Sequence, residues 1–491
     1  MSKNSLETFP TNTELPGKNS TNDKFSDSAS RRVLTLFDCC CIIVGTIIGS
    51  GIFKIPSLVA TTVPDVFSMI LVWVSGGLVA LIGAMCFAEL TTTYPDRGGD
   101  YGYLKRAFHP RVGFAFSWTA FWIVRPANIG AMAIIFGEFA SSALPNWLSL
   151  FGFAVLSIVL VSATNLLGVV VGKTAQNILT IAKVLGILLI VASAFLFAPN
   201  ETVDSPEGET VVQVLDGDIE AVQVDEMLAE GPRQADPGWF WLAMVFVMFS
   251  FGGWNDIAFV ASEVQNPKVN LVRSLVIGVL TVIGIYLLVN CALLYGLGFG
   301  GMSDVGFTGN VTSELVQQNL GAIGNRLLSV VVCVSCLGAI NAMIFTSPRI
   351  YSATAADYQS LSWLAGNEKQ QAWWRAMLLQ GVVTFVFVVV FGRSNDGFEN
   401  LAVANAPFFW SFLGLTVFSL IVLRHRSQGE FEGFRSPFYP LLPIIFVAAC
   451  GFMVYRSWIF MVQSELMVPT IAMAGWVAVG VGLSFILHRK Q

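Results

Sequence analysis

Twelve apolar stretches recur along this chain, at residues 33–62, 66–91, 112–140, 147–168, 175–198, 239–262, 272–298, 325–354, 374–392, 399–424, 437–460 and 466–488. A helix needs about 20 mostly apolar residues to cross hydrocarbon. Inside a bilayer every backbone N–H and C=O must find a protein partner, so only helices and closed barrels span it. These runs are continuous rather than alternating, which selects helices. Composition agrees: only 12% of the 491 residues are charged and 55% are hydrophobic, against roughly 25% charged in a soluble chain. The chain therefore reads as an all-α polytopic membrane protein. Residues 1–30 are rich in Ser, Thr, Asn and Lys. They are expected to form a disordered tail and carry no cleavable signal peptide.

Orientation follows from Lys and Arg, which concentrate on the cytoplasmic side. They cluster in the even-numbered connections and both tails, for example Arg97, Lys105, Arg106 and Arg111, or Arg424, Arg426 and Arg435. The odd-numbered connections have few, and the stretch 199–238 holds eleven acidic residues against one basic residue, Arg233. Both termini are thus expected in the cytoplasm. Spans 1–5 and 6–10 then run with opposite orientation, an inverted repeat with spans 11 and 12 appended. The expected division is a tail at 1–30, a first repeat at 31–198, an acidic extracytoplasmic loop at 199–238, a second repeat at 239–424, and spans 11 and 12 with a short tail at 425–491.

Each repeat opens on a span broken by glycine. The first break is Val44-Gly45-Thr46-Ile47-Ile48-Gly49-Ser50-Gly51-Ile52-Phe53, and the second is Phe249-Ser250-Phe251-Gly252-Gly253-Trp254-Asn255. Glycine inside a helix costs about 1 kcal/mol relative to alanine, and in a membrane the freed backbone is tolerated only beside a protein-lined cavity. Paired breaks in corresponding positions point to a secondary transporter's substrate site. The break in span 1 exposes carbonyls near Ile47 and amides near Ser50, Gly51 and Ile52; span 6 adds carbonyls near Phe249 and Gly252. Amides with partial positive charge beside carbonyls with partial negative charge suit an α-ammonium carboxylate. A packing cluster of small residues is the bland alternative.

Lys183 lies eight residues into span 5. An ionisable residue inside a membrane marks function by default, although a lysine can also snorkel to the interface. A buried ammonium can stand where a sodium ion would, offering positive charge and three donors. Arg125, before Pro126, is expected to line a cavity or, as the favoured reading, to pair with a carboxylate such as Glu89 or Glu138, and Asp256 to cap the inner half of span 6. All eight cysteines fall within apolar segments, where they read as small hydrophobic residues. The chain has no Gly-x-x-x-x-Gly-Lys-Ser/Thr loop, no His-Glu-x-x-His and three histidines, which argues against an ATP-driven pump and a metalloprotease. No metal, cofactor or catalytic residue is expected.

Taken in order, several motifs resemble the amino acid–polyamine–organocation superfamily, and within it the L-type amino acid transporters and their bacterial relatives. They are Gly45-Thr-Ile-Ile-Gly-Ser-Gly-Ile-Phe53, Phe87-Ala-Glu-Leu90 with Gly98-Gly-Asp-Tyr101, Arg125-Pro126, Ala182-Lys183, Phe251-Gly-Gly-Trp-Asn255 with Glu263, and Asn341, Phe345-Thr-Ser347 and Arg349. The resemblance implies a LeuT-type five-plus-five inverted repeat with alternating access. It implies a substrate site at Ile47, Gly49, Ser50, Gly51, Asn128, Phe249, Gly252 and Asn255, with Phe249 as outer gate and Asn255 tuning substrate choice. It implies that Lys183 bridges the span 1 break to a span 8 hydroxyl, here Ser347, in place of sodium.

Departures refine this. Relatives that carry cationic amino acids can have an acidic residue where this chain has Gly252, which favours neutral substrates. The loop Ser141-Ser-Ala-Leu-Pro145 lacks the cysteine that joins eukaryotic light chains to a heavy chain, so no heavy-chain disulfide partner is expected. Lys54 stands where an apolar residue is usual. The expectation is a sodium-independent transporter of neutral L-amino acids in a bacterial inner membrane. Exchange is the first mode and proton symport the second; an amino acid-binding sensor is the alternative of another class. The partners expected are a small amino acid and the lipid bilayer, with no nucleic acid.

Overall fold

The first helix begins where the sequence supplies a capping box. Thr35 Oγ1 accepts the Asp38 N–H at 3.3 Å, and Asp38 Oδ2 accepts the Thr35 N–H at 2.9 Å, satisfying two of the donors a helix start leaves unpaired. In the computed structural model, residues 32–95, 98–197, 211–215, 218–222, 238–306, 310–365, 374–392, 397–426, 433–463 and 467–487 are described. The first span is two helices, α1 (Leu36–Ile47) and α2 (Gly51–Ala60), bent by 49° at the glycine break. Next come α3 (Val66–Thr93), a short α4 (Asp100–Ala107), α5 (Pro110–Thr119), a π-helical turn (Ala120–Val124), α6 (Arg125–Ala143), α7 (Leu150–Leu166) and α8 (Val169–Phe197).

The second half repeats the plan with α9 (Trp239–Ser250), a 3₁₀ segment (Trp254–Glu263), α10 (Pro267–Asp304), α11 (Val311–Asp357), α12 (Trp374–Phe391) and α13 (Gly397–Arg426). It is followed by α14 (Leu441–Gln463) and α15 (Met467–Ile486). Among the described residues, ten helices or joined helices are long and apolar enough to cross a membrane, the bent α1–α2 pair makes an eleventh span, and the shorter apolar α7 supplies a twelfth. The chain is a multi-pass, helical membrane protein.

The two broken spans lie antiparallel at the centre. Leu34, ahead of α1, donates its N–H to Glu263 O at 3.0 Å, and the Gln265 N–H returns to Leu34 O at 2.9 Å. The start of span 1 is therefore stitched to the end of span 6. At the other side α2 packs on α9 and α10. The opposite run of these spans is what an inverted repeat requires.

Three features differ from the hydropathy reading. α11 starts at Val311 instead of 325, capped by Asn310 Oδ1, which accepts the Thr312 and Ser313 N–H groups at 3.1 and 3.2 Å. Its first turns are polar (Glu314, Gln317, Gln318, Asn319) and precede a bend at Gly321, φ +57°, so hydropathy overlooks a helix that need not enter hydrocarbon. The inner half of span 6 is 3₁₀ instead of α. Within the acidic stretch, β1 (Val211–Leu215) and β2 (Asp218–Val222) pair antiparallel, with Val211 opposite Val222. The expected tail at 1–30 and the rest of 199–238, apart from Gly238, lie outside the described residues.

Candidate functional site

At the first break, the Ile48 N–H makes the last α1 bond, to Val44 O at 3.0 Å, and Ile48 then turns extended (φ −76°, ψ 91°). The Gly49 N–H folds back to Ile47 O at 2.9 Å, and α2 restarts at Gly51. The first amides of α2 have no partner within their own helix and form its positive end. At the second break, the Phe251 N–H bonds Val247 O at 3.1 Å and the Gly252 N–H bonds Phe249 O at 3.3 Å. Gly253 then takes φ +110°, and a β-carbon there would lie 2.8 Å from Thr46 Cγ2. Glycine is thus required twice over, for its left-handed backbone and for contact with the first break.

The two breaks enclose one cavity of about 140 Å³. All eight residues expected at the site line it: Ile47, Gly49, Ser50 and Gly51 from span 1, Asn128 from α6, and Phe249, Gly252 and Asn255 from span 6. Asn128 Oδ1 accepts from Asn405 Nδ2 at 3.1 Å. Two wall groups, Ser250 Oγ and Asn255 Oδ1, are buried without a hydrogen-bond partner. A residue outside the expected set joins the breaks. The Tyr286 hydroxyl lies 3.2 Å from Ile47 O and 3.1 Å from Ser250 O, and its single proton serves one carbonyl at a time.

Lys183 is fully buried and does not snorkel. Its ammonium donates to Gly45 O at 2.9 Å, Ile48 O at 2.7 Å and Ser335 O at 3.1 Å. Three carbonyls thus fill its three donors. The span 8 partner is the main-chain carbonyl of Ser335, not a hydroxyl and not Ser347. Ser335 Oγ sits 3.1 and 3.0 Å from Ile48 O and Gly49 O, whereas Ser347 Oγ donates to Met343 O within its own helix at 2.5 Å. Ser335 falls at the depth of the break and Ser347 lies twelve residues further along α11. Space for the lysine comes from Gly338, where a β-carbon would lie 2.8 Å from its Cε and Nζ.

Lys183 is the last rung of a polar stripe on α8. Lys173 Nζ and Asn177 Nδ2 reach Asp38 at 3.0 and 2.6 Å, and Gln176 Nε2 and Thr180 Oγ1 reach Cys41 O at 3.3 and 3.0 Å. Gln176 also accepts from Asn341 Nδ2 at 2.8 Å. Spacings of three and four residues keep these side chains on one helix face, a signal legible at Lys173, Gln176, Thr180 and Lys183 but passed over when Lys183 is read alone.

Arg125 is buried and forms a two-pronged pair with Asp256, each N–O distance 2.6 Å. Thr346 Oγ1 adds a 3.3 Å bond to the same carboxylate. The expected partners Glu89 and Glu138 are not those the guanidinium pairs with. Glu89 instead accepts the Ser436 N–H at 2.7 Å and sits 3.5 Å from Arg424. Nor does Asp256 cap the inner half of span 6; Gly253 occupies that position. The π-turn just before Arg125 adds a residue to the helix, a device common at functional sites.

Comparison with known proteins adds a family. The profile described as amino acid permease matches residues 34–483. The mouse b(0,+)-type amino acid transporter 1 is 28% identical over 431 residues, covering 84% of this chain and 80% of that protein. The serine/threonine exchanger SteT of Bacillus subtilis (strain 168) is 26% identical over 433 residues, covering 87% and 91%. The mouse large neutral amino acids transporter small subunit 2 is 27% identical over 460 residues, covering 91% and 79%.

Proposed function

Because the chain belongs to the amino acid permease family, we propose that it is a sodium-independent transporter of neutral L-amino acids that works by alternating access, with exchange as its mode. The observation that carries this reading is the Lys183 ammonium among the carbonyls of Gly45, Ile48 and Ser335. A fixed cation already occupies the carbonyl cluster that a sodium ion would need, and a second cation there would be repelled. The free amides of α2 suit a carboxylate, and the carbonyls of Ile47, Phe249 and Gly252 suit an ammonium. A cationic side chain would need a further anion. Position 252 is glycine, Asp256 is engaged by Arg125, and burial pushes Asp100, the other carboxyl on the cavity wall, towards its neutral form, so an extra charge would stay unpaired at high cost. The names of two relatives, an exchanger and a neutral amino acid transporter, support the same direction.

One relative is named as a small subunit. For this chain we propose function without a disulfide-linked heavy chain, because Ser141–Pro145 offers no cysteine. The same lack of a cysteine supports a bacterial inner-membrane location, and the placement of Lys and Arg supports cytoplasmic termini. The test is uptake by purified protein in liposomes. Uptake should persist when choline replaces sodium, require internal amino acid, and be competed at least about tenfold better by alanine, serine or leucine than by arginine, a margin of about 1.4 kcal/mol. Loss of uptake in choline, or arginine binding as tightly as alanine, overturns the reading.

A further inference from the structure

Asp100 opens α4, between α3 and α5, and lines the cavity opposite the substrate backbone site. It is 2% exposed, and its Oδ1 is buried without a hydrogen-bond partner. The charges it feels are Arg125, which is attractive, and Asp256, which is repulsive. Arg125 already faces Asp256 with two of its nitrogens, so among the described residues this buried cluster holds one cation and two carboxyl groups. Among the described residues, the other cations on these elements are engaged elsewhere. On α4 itself, Lys105 pairs with Asp357 and Arg106 stacks on Tyr94. On α5, Arg111 stacks on Phe485; on α11, Arg349 pairs with Glu263; on α13, Arg424 lies beside Glu89 and Tyr439.

A buried carboxylate without its own cation is costly, and protonation is the cheaper state. Burial pushes the Asp100 carboxyl up to about 8. The position is also tied to the inner half of span 6. Gly99, with φ +48°, sits where a β-carbon would lie 2.9 Å from the Ala258 backbone in the inner half of span 6. Separation of that half-span from α4 would admit water to Asp100 and favour its ionised form.

We propose that Asp100 is a proton-binding site, which holds a proton while the inner half of span 6 is packed against α4 and releases it when that contact opens. The carboxylate gains a proton from solvent and returns it to solvent, and no other bond changes. This rests on reading the cavity as the substrate site, and it places proton linkage at Asp100, apart from Lys183.

Infrared titration of the full chain in lipid tests the site without requiring transport. Between about pH 6 and about pH 9, the wild type should lose a protonated-carboxyl band that is missing from Asp100→Asn and retained, with a shifted midpoint, in Asp100→Glu. In liposomes, the ratio of wild-type uptake at about pH 6 to that at about pH 9 should be about ten, and for Asp100→Asn under about two. A band unchanged by Asp100→Asn, or an unaltered pH ratio, overturns the proposal. If no variant or wild type transports any amino acid while the band behaves as expected, the transport reading fails and the proton site stands.

Discussion

Lys183 and Ser335 hold the first break from two neighbouring helices, and they carry unequal weight. Removing the ammonium takes a charge-assisted donor from three buried carbonyls. Charged hydrogen bonds contribute about 1.5–3 kcal/mol each and neutral ones about 0.5–1.5. Lys183→Ala should therefore lower uptake by at least about a hundredfold, Ser335→Ala by about three- to tenfold, and Ser347→Ala by less than about twofold. Initial rates in liposomes, normalised to inserted protein, check this; a Lys183→Ala rate equal to wild type would sink it. The same residues mark how far sequence reaches. A lysine inside an apolar span is conspicuous, and a span 8 hydroxyl beside the break is what the resemblance implies. Which hydroxyl is not conspicuous, because α11 carries several and their depth depends on where the facing span breaks. The Arg125 partner was misjudged for a similar reason: carboxylates near it in sequence competed with one brought in by the other repeat.

At the level of elements, the breaks were legible because glycine clusters stand out against hydrocarbon-length helices, and the start of α1 because Thr35 and Asp38 form a capping pattern. The 3₁₀ segment and the π-turn were not legible, since both arise from tertiary fit: one keeps Gly253 against Thr46, the other precedes the Arg125 that meets Asp256. Gly253→Ala tests that fit. It forces a β-carbon into a left-handed backbone, a cost of about 1–2 kcal/mol, and against Thr46 Cγ2 at 2.8 Å. The variant should insert normally, melt earlier in detergent, and transport at about a tenth of the wild-type rate or less. Wild-type melting and uptake together would mean that the two breaks need not touch.

For the whole molecule, the number and course of the spans followed from hydropathy and charge, and the acidic stretch did not announce its hairpin because its valines are too few and too short a run to separate from a loop. The stitch between Leu34 and Val264 joins the first and sixth spans at one end of the bundle. The alternating access proposed above requires that end to open. Paired cysteines at Leu34→Cys and Val264→Cys, in a background without the eight native cysteines, should arrest uptake by at least about tenfold on oxidation and recover with reductant, since bridged strands lie about 4.7–4.9 Å apart, inside the Cα separation a disulfide spans. Undiminished uptake after complete cross-linking would mean that these segments stay together through the cycle.

The Tyr286 hydroxyl has one proton and two carbonyls within 3.2 Å, and Ser250 Oγ and Asn255 Oδ1 nearby have no protein partner. An unloaded carrier that closes around this cavity must seal in unanswered acceptors, whereas a loaded one brings an ammonium to meet them. In the exchange mode proposed above, the return stroke without cargo is therefore the steepest part of the cycle. Such a carrier turns over fastest when each trip is made full, so the traffic in one direction sets the pace of the other.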